Sequence, residues 1–353
     1  MSGSPGRVAR GFRAGMTAAA PSTWLVRLPN WLGDLVMSSA AVECLGRRFP
    51  GTRVEAVAPA HLADLARLIP GLHRVHPLPP AARRLAGLVH FARRLARQGP
   101  FDHYLCLPDS FSTALFGLLV GVPRRTGYRK ELRSLLLTRA PVKPRGLHRV
   151  EEYCGLVPGA DDVPPRVRLR PPAAEVRAGL PWPEAEPRVV FHIHSEAPSR
   201  RLPVELGVQI GQLLVDRLGA GLVLTGAAKD AARSAELAAN LRRPGRVIDL
   251  AGRTDLQALA RVAADAELVV SVDSGLAHLG SALGTPVVVL FGAGDEANTA
   301  PFERSRLRVV RATGLPCAPC VDNVCRRYPS ARCVEQIPAS AVADAAAALL
   351  GGR

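Results

Sequence analysis

Short apolar runs alternate with longer amphipathic segments along most of the chain. The first half has such runs at residues 24–28, 54–58 and 104–107, and the second half at 189–193, 222–224, 267–272 and 287–291. This alternation is typical of buried parallel strands whose connecting helices cover the sheet. We therefore predict an α/β fold with two doubly wound, Rossmann-like domains that face each other across a cleft, with ligands at the carboxyl ends of the strands.

A proline-rich segment interrupts the alternation. Residues 157–188 contain eight prolines, so we predict a linker there, between an N-terminal domain at 23–156 and a C-terminal domain at 189–353. Residues 1–22 are rich in Arg, Gly, Ser and Ala and lack an apolar core followed by a cleavage site. This composition predicts a flexible leader, not a signal peptide.

The charge balance limits the possible partners. Lys and Arg number 46 against 30 Asp and Glu, a formal net charge of +16, which attracts polyanions such as nucleic acid, phosphorylated lipid or an anionic membrane face. Only 5% of the residues are aromatic, which leaves few stacking platforms, and no nucleic-acid motif occurs, so nucleic acid is disfavoured. The apolar stretch 111–122 is shorter than the ~20 residues of a membrane-spanning helix. We expect a cytoplasmic protein without a transmembrane helix.

The segment 269–278 gives the clearest chemical signal, because an apolar strand ends there in Asp273-Ser274-Gly275 and leads into a helix. A helix N-terminus has unpaired N–H groups and a positive dipole end, which favour phosphate. Ser274 can cap the helix or bind an anion, Gly275 permits close approach of a backbone, and His278 falls on the same helical face as Ser274. The alternative is an ordinary helix cap with a surface histidine.

Two further segments provide charged side chains next to predicted strand ends. Asp34 stands in the first turn of a predicted helix, where the dipole alone favours a carboxylate; across a cleft from a phosphate it is also suited to act as a general base. Arg200 precedes a helix predicted over 204–218 and is placed to neutralise a diphosphate, although an arginine pair in this position is also ordinary solvated surface.

Four of the seven cysteines lie close together near the C-terminus. Their spacing is compatible with a zinc site, whereas free thiols, or thiols that pair only on oxidation, are the alternatives; the four are Cys317, Cys320, Cys325 and Cys333. Disulfides are not expected in a reducing compartment. The remaining cysteines are interpreted as small buried apolar residues: Cys44, Cys106 and Cys154.

Taken together, these segments resemble the glycosyltransferase family that contains the lipopolysaccharide heptosyltransferases. The sequence Arg-Leu-Pro-Asn-Trp-Leu-Gly-Asp at 27–34 is most similar to the heptosyltransferase II branch. The other shared parts are Asp-Ser-Gly-x-x-His at 273–278, Gly-Thr-Pro at 284–286 and Cys-x-x-Cys at 317–320. The resemblance extends from about residue 24 to residue 350, which is nearly the whole chain.

The resemblance implies a GT-B fold, an ADP-heptose donor, inversion at the anomeric carbon and no required metal or other cofactor. It implies that the N-terminal domain binds an anionic glycolipid acceptor of the lipopolysaccharide core, with peripheral contact to the inner membrane face. Asp34 becomes the catalytic base, and Thr254 falls at the expected adenine pocket. The implied donor-binding residues are Ser195, Arg200, Thr254, Asp273, Ser274, Gly275 and His278.

The chain departs from the family pattern on the donor side. The usual Pro-Gly-Ala after the first C-terminal strand is His-Ser-Glu at 194–196, and the usual Lys-Arg-Trp-Pro is Arg-Arg-Leu-Pro at 200–203. A relative that uses another nucleotide sugar is therefore the main alternative, and a nucleotide-sugar epimerase is a weaker one. No Asp-x-Asp pair occurs in the sequence, so the helix N-terminus at Ser274 and Arg200 would have to stabilise the leaving diphosphate.

Overall fold

Two parallel β-sheets form the framework of the protein. The structure is a computed structural model that describes residues 22–177 and 179–352. The first sheet contains β1 (Thr23–Arg27), β2 (Arg53–Pro59), β3 (Leu72–Leu78), β4 (His103–Cys106) and β5 (Arg124–Gly127). The second contains β6 (Arg188–His192), β7 (Gly221–Leu224), β8 (Val247–Asp249), β9 (Leu268–Val272), β10 (Val287–Phe291) and β11 (Leu307–Arg311).

Helices connect the strands in both halves. Those of the first half are α1 (Leu32–Met37), α2 (Ser39–Arg48), α3 (Ala63–Ala66), α4 (Leu85–Ala96), α5 (Phe111–Leu119) and α6 (Arg149–Cys154). Those of the second half are α7 (Val204–Leu218), α8 (Ala231–Leu241), α9 (Leu256–Asp265), α10 (Gly275–Ala282), α11 (Glu296–Thr299), α12 (Arg332–Glu335) and α13 (Ala339–Gly351). The bounds of α7 are those predicted, and the helix ends because Gly219 adopts a left-handed conformation at φ 68°.

The strand orders create one switch point in each sheet. The first sheet has the order β3-β2-β1-β4-β5 and the second β11-β10-β9-β6-β7-β8, with parallel pairing at β1–β4 and at β6–β9. The order reverses between β1 and β4 and again between β6 and β9, and doubly wound sheets bind their ligands in the crevice at such points. The topology therefore predicts one binding region at each of these positions.

The two halves pack against each other through helices that start at the switch points. Buried apolar side chains from both sheets join in one cluster that includes residues of α1, α2 and α10. Two further clusters lie on the outer faces, one between the second sheet, α7 and α13, and one between the first sheet, α4 and α5. The shared cluster brings the carboxyl ends of β1 and β9 close together.

The proline-rich segment runs between the halves and contacts both. The backbone N–H of Leu169 donates to Ala282 O at 2.9 Å, and that of Arg170 donates to Leu68 O at 2.8 Å. Strand β6 begins at Arg188, one residue inside the predicted linker, and the domain limits at 23–156 and 189–353 remain a proposal. The predicted leader lies outside the described residues apart from Ser22. Within the described ranges, no helix combines the length and apolar character that a membrane crossing requires.

Candidate active site

Asp34 lies at the carboxyl end of β1, in the first turn of α1. Its side chain is half-buried, and the hydroxyl of Tyr153 in α6 donates to Asp34 Oδ1 at 3.0 Å. Burial raises the pKa of Tyr153 well above its ordinary value, and the charge of Asp34 raises it further. The Tyr153 proton therefore stays in place and holds the carboxylate in a fixed orientation.

A charged network surrounds Asp34. Lys143 Nζ lies 3.3 Å from Asp109 Oδ2 and 3.1 Å from Glu152 Oε2, and Arg149 Nε lies 3.3 Å from the same Glu152 oxygen. Glu152 is buried, and removing one partner from a buried ion pair is strongly destabilising. Because two cations face two carboxylates, this network offers both hydrogen-bond donors and hydrogen-bond acceptors without a large net charge.

The same residues line a cavity at the β1–β4 switch point. Its volume is about 190 Å³, and its lining includes Asp34, Tyr153, Lys143 and Trp31. The Trp31 side chain is 64% exposed, which leaves an aromatic face free at the cavity. Aromatic surface beside paired hydrogen-bonding groups is suited to a molecule with one apolar face and several hydroxyl groups.

The second switch point brings the predicted donor residues together. Arg200 Nη1 lies 3.1 Å from Asp273 Oδ2, and the two groups form an ion pair without a hydrogen bond. Ser195 Oγ donates a hydrogen bond to Asp273 O at 3.3 Å. Burial raises the pKa of the Asp273 carboxyl, and the Arg200 charge opposes that rise. Ser274 caps α10, which is one of the two roles predicted for it, because its Oγ accepts from Leu276 N at 3.3 Å.

The N-termini of α1 and α10 abut directly. A Cβ at Gly33 would lie 2.9 Å from His278 Cδ2, and a Cβ at Gly275 would lie 2.6 Å from Leu32 Cδ2. Both positions therefore need glycine for the close approach of the two helices. This approach places the Asp34 cavity next to the capped end of α10.

His278 is buried beneath this contact and is not a surface histidine. Its side chain is only 6% exposed. The pKa of His278 is lowered to about 4, mainly because the side chain is buried and to a smaller extent because His148 lies nearby. The imidazole is therefore neutral at physiological pH.

Thr254 stands apart from the other predicted donor residues. It is half-buried in the turn that follows β8 and precedes α9. Gly252 in the same turn has φ 72° and donates its N–H to Gly226 O at 2.9 Å. The turn thus borders the carboxyl end of β7, at the edge of the donor region.

Residues 88–330 match the family described as Glycosyltransferase family 9 (heptosyltransferase). That segment is more than half of the 353 residues. The chain belongs to glycosyltransferase family 9.

Individual relatives agree with this assignment over most of the chain. Lipopolysaccharide heptosyltransferase 2 of Escherichia coli (strain K12) is 30% identical over 309 residues, which cover 81% of this chain and 87% of the relative. Lipooligosaccharide heptosyltransferase 2 of Haemophilus ducreyi is 27% identical over 298 residues, covering 78% and 85%. The solved structure of E. coli ADP-heptose lps heptosyltransferase II has a TM-score of 0.80 at 27% identity and covers 94% of this chain and 99% of that one.

These comparisons confirm three predictions from the sequence. The family resemblance is correct, the α/β fold of two parallel sheets matches the heptosyltransferase structure, and the protein is a glycosyltransferase. The roles of the individual site residues are not tested by the comparisons and remain proposals.

The cysteine-rich segment of the glycosyltransferase borders the donor region. Ser199 N donates to Asn323 O at 3.0 Å, and Val321 N donates to Ala293 O at 2.8 Å. All four cysteines of this segment are free thiols around one cavity. In the described part of the chain, no group of three or more His, Cys, Asp or Glu residues is arranged to hold a metal ion. The zinc site stays a prediction, and these two backbone hydrogen bonds tie the segment to the loops beside Arg200 and Asp273.

Sequence analysis missed most of the residues that line the cavity beside Asp34. Tyr153, Arg149 and Glu152 all lie on α6, a six-residue helix whose sequence gave no chemical signal. Asp109 could have been predicted from the sequence, because it follows the predicted strand 104–107 and therefore lies at the carboxyl end of the sheet.

Proposed function

We propose that the protein transfers heptose from ADP-heptose to an inner-core acceptor of lipopolysaccharide, with inversion at the anomeric carbon and no required metal ion. The observation that carries the proposal is the contact of α1 with α10, which sets a carboxylate beside a capped helix N-terminus. The E. coli relatives, named as lipopolysaccharide and ADP-heptose heptosyltransferases, support the choice of donor and acceptor. The lack of an Asp-x-Asp pair in the sequence supports a reaction without a metal.

Asp34 acts as the general base in the proposed reaction. Its carboxylate takes the proton of an acceptor hydroxyl, whose oxygen forms a bond to the anomeric carbon of heptose. The bond from that carbon to the diphosphate oxygen breaks on the opposite face, and ADP leaves with the electron pair. Tyr153 keeps Asp34 oriented toward the hydroxyl through its 3.0 Å hydrogen bond.

The donor side supplies positive potential for the leaving diphosphate. The N-terminus of α10 carries the partial charge of the helix dipole, and the Arg200 Nε group is buried without a hydrogen-bond partner. A buried donor of this kind is costly unless a ligand satisfies it. Asp273 holds the guanidinium in place through the 3.1 Å ion pair, and a diphosphate oxygen would satisfy the remaining donor. Ser195, Ser274, Gly275 and His278 complete the proposed donor site, with Thr254 at the adenine.

The acceptor lies in the cavity beside Asp34. Trp31 provides a platform for the apolar face of a sugar ring, and the network of Asp109, Lys143 and Glu152 provides partners for its hydroxyl groups. A basic N-terminal half suits the phosphorylated, anionic glycolipid that carries this sugar. We expect the enzyme to act in the cytoplasm, at the inner face of the cytoplasmic membrane.

Thermal unfolding with nucleotides tests the donor. ADP at about 100 times its dissociation constant is expected to add roughly 2.7 kcal/mol of stability, with less from UDP or GDP. An Arg200→Gln variant should lose most of this gain. Arg217→Gln is the matched control, because Arg217 pairs with Asp344 at 3.3 Å on the exposed surface. Preference for UDP or GDP would mean another donor, and no response to any nucleotide would contradict the proposed function.

Removal of the Tyr153 hydroxyl tests the positioning of the base. Tyr153→Phe is expected to lower kcat about tenfold, because a hydrogen bond to a charged group is lost, and to leave the KM for ADP-heptose unchanged, because Tyr153 lies in the proposed acceptor cavity. Steady-state kinetics with varied ADP-heptose provide the measurement. Tyr128→Phe is the control, because the Tyr128 hydroxyl donates to Glu152 O at 2.5 Å in the same cavity wall. A loss of rate with a raised KM for ADP-heptose would assign Tyr153 a structural role.

A further inference from the structure

An apolar turn projects from the N-terminal half after the edge strand β5. Residues Glu131–Leu136 form a 3-10 helix, in which Leu132 and Leu135 are 71% and 81% exposed. Side chains at positions i and i+3 of a 3-10 helix eclipse one another, so both leucines project from the same face. The turn thus presents two adjacent leucine side chains to the outside of the protein.

Helix α5 extends this apolar surface. Phe111 and Leu118 are 50% and 43% exposed, and their spacing of seven residues places them on one face of the helix. Phe111 and Leu132 line a common cavity. We refer to Phe111, Leu118, Leu132 and Leu135 as the apolar patch. Contiguous exposed apolar side chains of this kind mark interaction surfaces.

The turn is held rigidly in this exposed position. Arg133, between the two leucines, is only 1% exposed. Its Nη1 donates to Tyr128 O at 2.9 Å and its Nη2 to Pro108 O at 3.1 Å, and the side chain pairs with Asp109 at 3.5 Å. The buried arginine fixes the turn, so the leucines cannot easily fold back onto the protein.

Exposed cations flank the apolar turn. They lie on β5, immediately before the turn and in the segment that follows it: Arg124, Arg129, Lys130, Arg139 and Arg145. Lys130 lines the same cavity as Phe111 and Leu132. Glu131 is the acidic residue of the turn. Apolar side chains flanked by Lys and Arg are the combination that binds an anionic lipid surface, because insertion and electrostatic attraction add.

The apolar patch also adjoins the acceptor side of the site. Asp109 lines both the cavity beside Asp34 and the cavity shared by Phe111 and Leu132. A glycolipid whose acyl chains remain in a bilayer must present its sugar within a short distance of the membrane surface. Docking at this patch would bring the acceptor cavity to that surface.

We propose that the apolar patch and the cations that flank the turn dock the enzyme on an anionic phospholipid bilayer, with Leu132 and Leu135 inserted at the interface. The choice of a bilayer over another partner rests on the proposed glycolipid acceptor and on the charge that flanks the turn. Lipid binding itself does not depend on the identity of the donor or on catalysis.

Vesicle sedimentation tests this docking surface. The full-length protein is mixed with vesicles of equal parts phosphatidylglycerol and phosphatidylcholine, or with phosphatidylcholine alone. We expect binding to the anionic vesicles that weakens at high salt, and a loss of about tenfold or more in the partition coefficient for the double variant Leu132→Ser and Leu135→Ser. Leu85→Ser is the control, because Leu85 is 63% exposed and follows Arg83 and Arg84 but lies outside the patch.

Three results would overturn the proposal. They are absence of wild-type binding to anionic vesicles, equal binding by the double variant, and an equal loss with Leu85→Ser. A change from dimer to monomer in the double variant, measured by light scattering, would assign the patch to contacts between copies of the chain instead.

Two further measurements guard against a folding artefact and separate lipid binding from catalysis. A single Leu135→Trp variant should show a blue-shifted emission with anionic vesicles, and no shift would count against insertion. The double variant should lose transfer to a membrane-embedded acceptor while it retains transfer to the same sugar freed from its lipid. Loss of both activities with normal vesicle binding would contradict the docking role.

Discussion

Replacement of Asp34 by asparagine is expected to lower the rate of heptose transfer by a factor of about 10² to 10⁴, the usual contribution of a general base. Asparagine keeps the size of the side chain and can still accept the hydrogen bond from Tyr153, but it cannot take the proton of the acceptor hydroxyl. The stabilisation by ADP should remain, because the donor contacts come from the other half of the protein. The measurement is initial rate with ADP-heptose and acceptor, paired with thermal unfolding in ADP.

A matched variant separates this effect from the loss of a helix-dipole interaction. Asp64 also lies in the first turn of a helix, α3, and is exposed. Asp64→Asn removes a carboxylate from a comparable position and should leave the transfer rate within about twofold, since surface changes of this kind are small. If Asp34→Asn retained full activity, another group would have to be the base; if it also lost the response to ADP, the separation into donor and acceptor sides would be wrong.

Seven of the eleven described strands followed from the sequence, because a strand buried inside a sheet leaves a local apolar run. The four edge strands β3, β5, β8 and β11 are less buried and were not predicted. The predicted run 287–291 coincides with β10, and the other predicted runs lie within one residue of the observed strands at each end. The order of the strands within each sheet did not follow from the sequence. The switch points therefore became visible only in the structure, and with them the reason why Asp34 and Asp273 lie at comparable places in the two sheets.

The surroundings of Asp34 depend on contacts that are distant in sequence. Tyr153 lies 119 residues from Asp34, on a helix too short to show a clear amphipathic period. Local periodicity reports which face of an element is buried, but not which polar groups meet across elements. A residue that positions a base by a long-range hydrogen bond is therefore hidden from a single sequence.

The burial of His278 illustrates the same limit. Helical spacing predicts that it shares a face with Ser274, but part of its burial comes from Gly33 of the other half, where a Cβ would lie 2.9 Å from the imidazole. Sequence analysis identified both residues within family motifs. Their contact required the packing of α1 on α10.

The neutral state of His278 leads to the second large effect, a loss of stability in acid. The pKa of His278 is about 4 in the folded protein, against an ordinary value of 6.5. Between these values the unfolded chain binds a proton that the folded chain does not, so the free energy of unfolding falls as the pH drops from 6.5 toward 4. A shift of this size corresponds to about 3 kcal/mol.

Urea denaturation between about pH 7 and about pH 4.5 measures this loss. His278→Gln cannot take up the proton, so its free energy of unfolding should fall less steeply with acid than that of the wild type, even if lost packing lowers its stability at pH 7. The exposed His61 supplies the control, and His61→Gln should keep the wild-type slope. Equal slopes for wild type and His278→Gln would show that His278 takes up its proton at the same pH in the folded and the unfolded protein, which would contradict the lowered pKa. A charged imidazole beneath the α1–α10 contact would repel the positive charge that develops on the heptose, so the neutral state is the one that suits the proposed reaction.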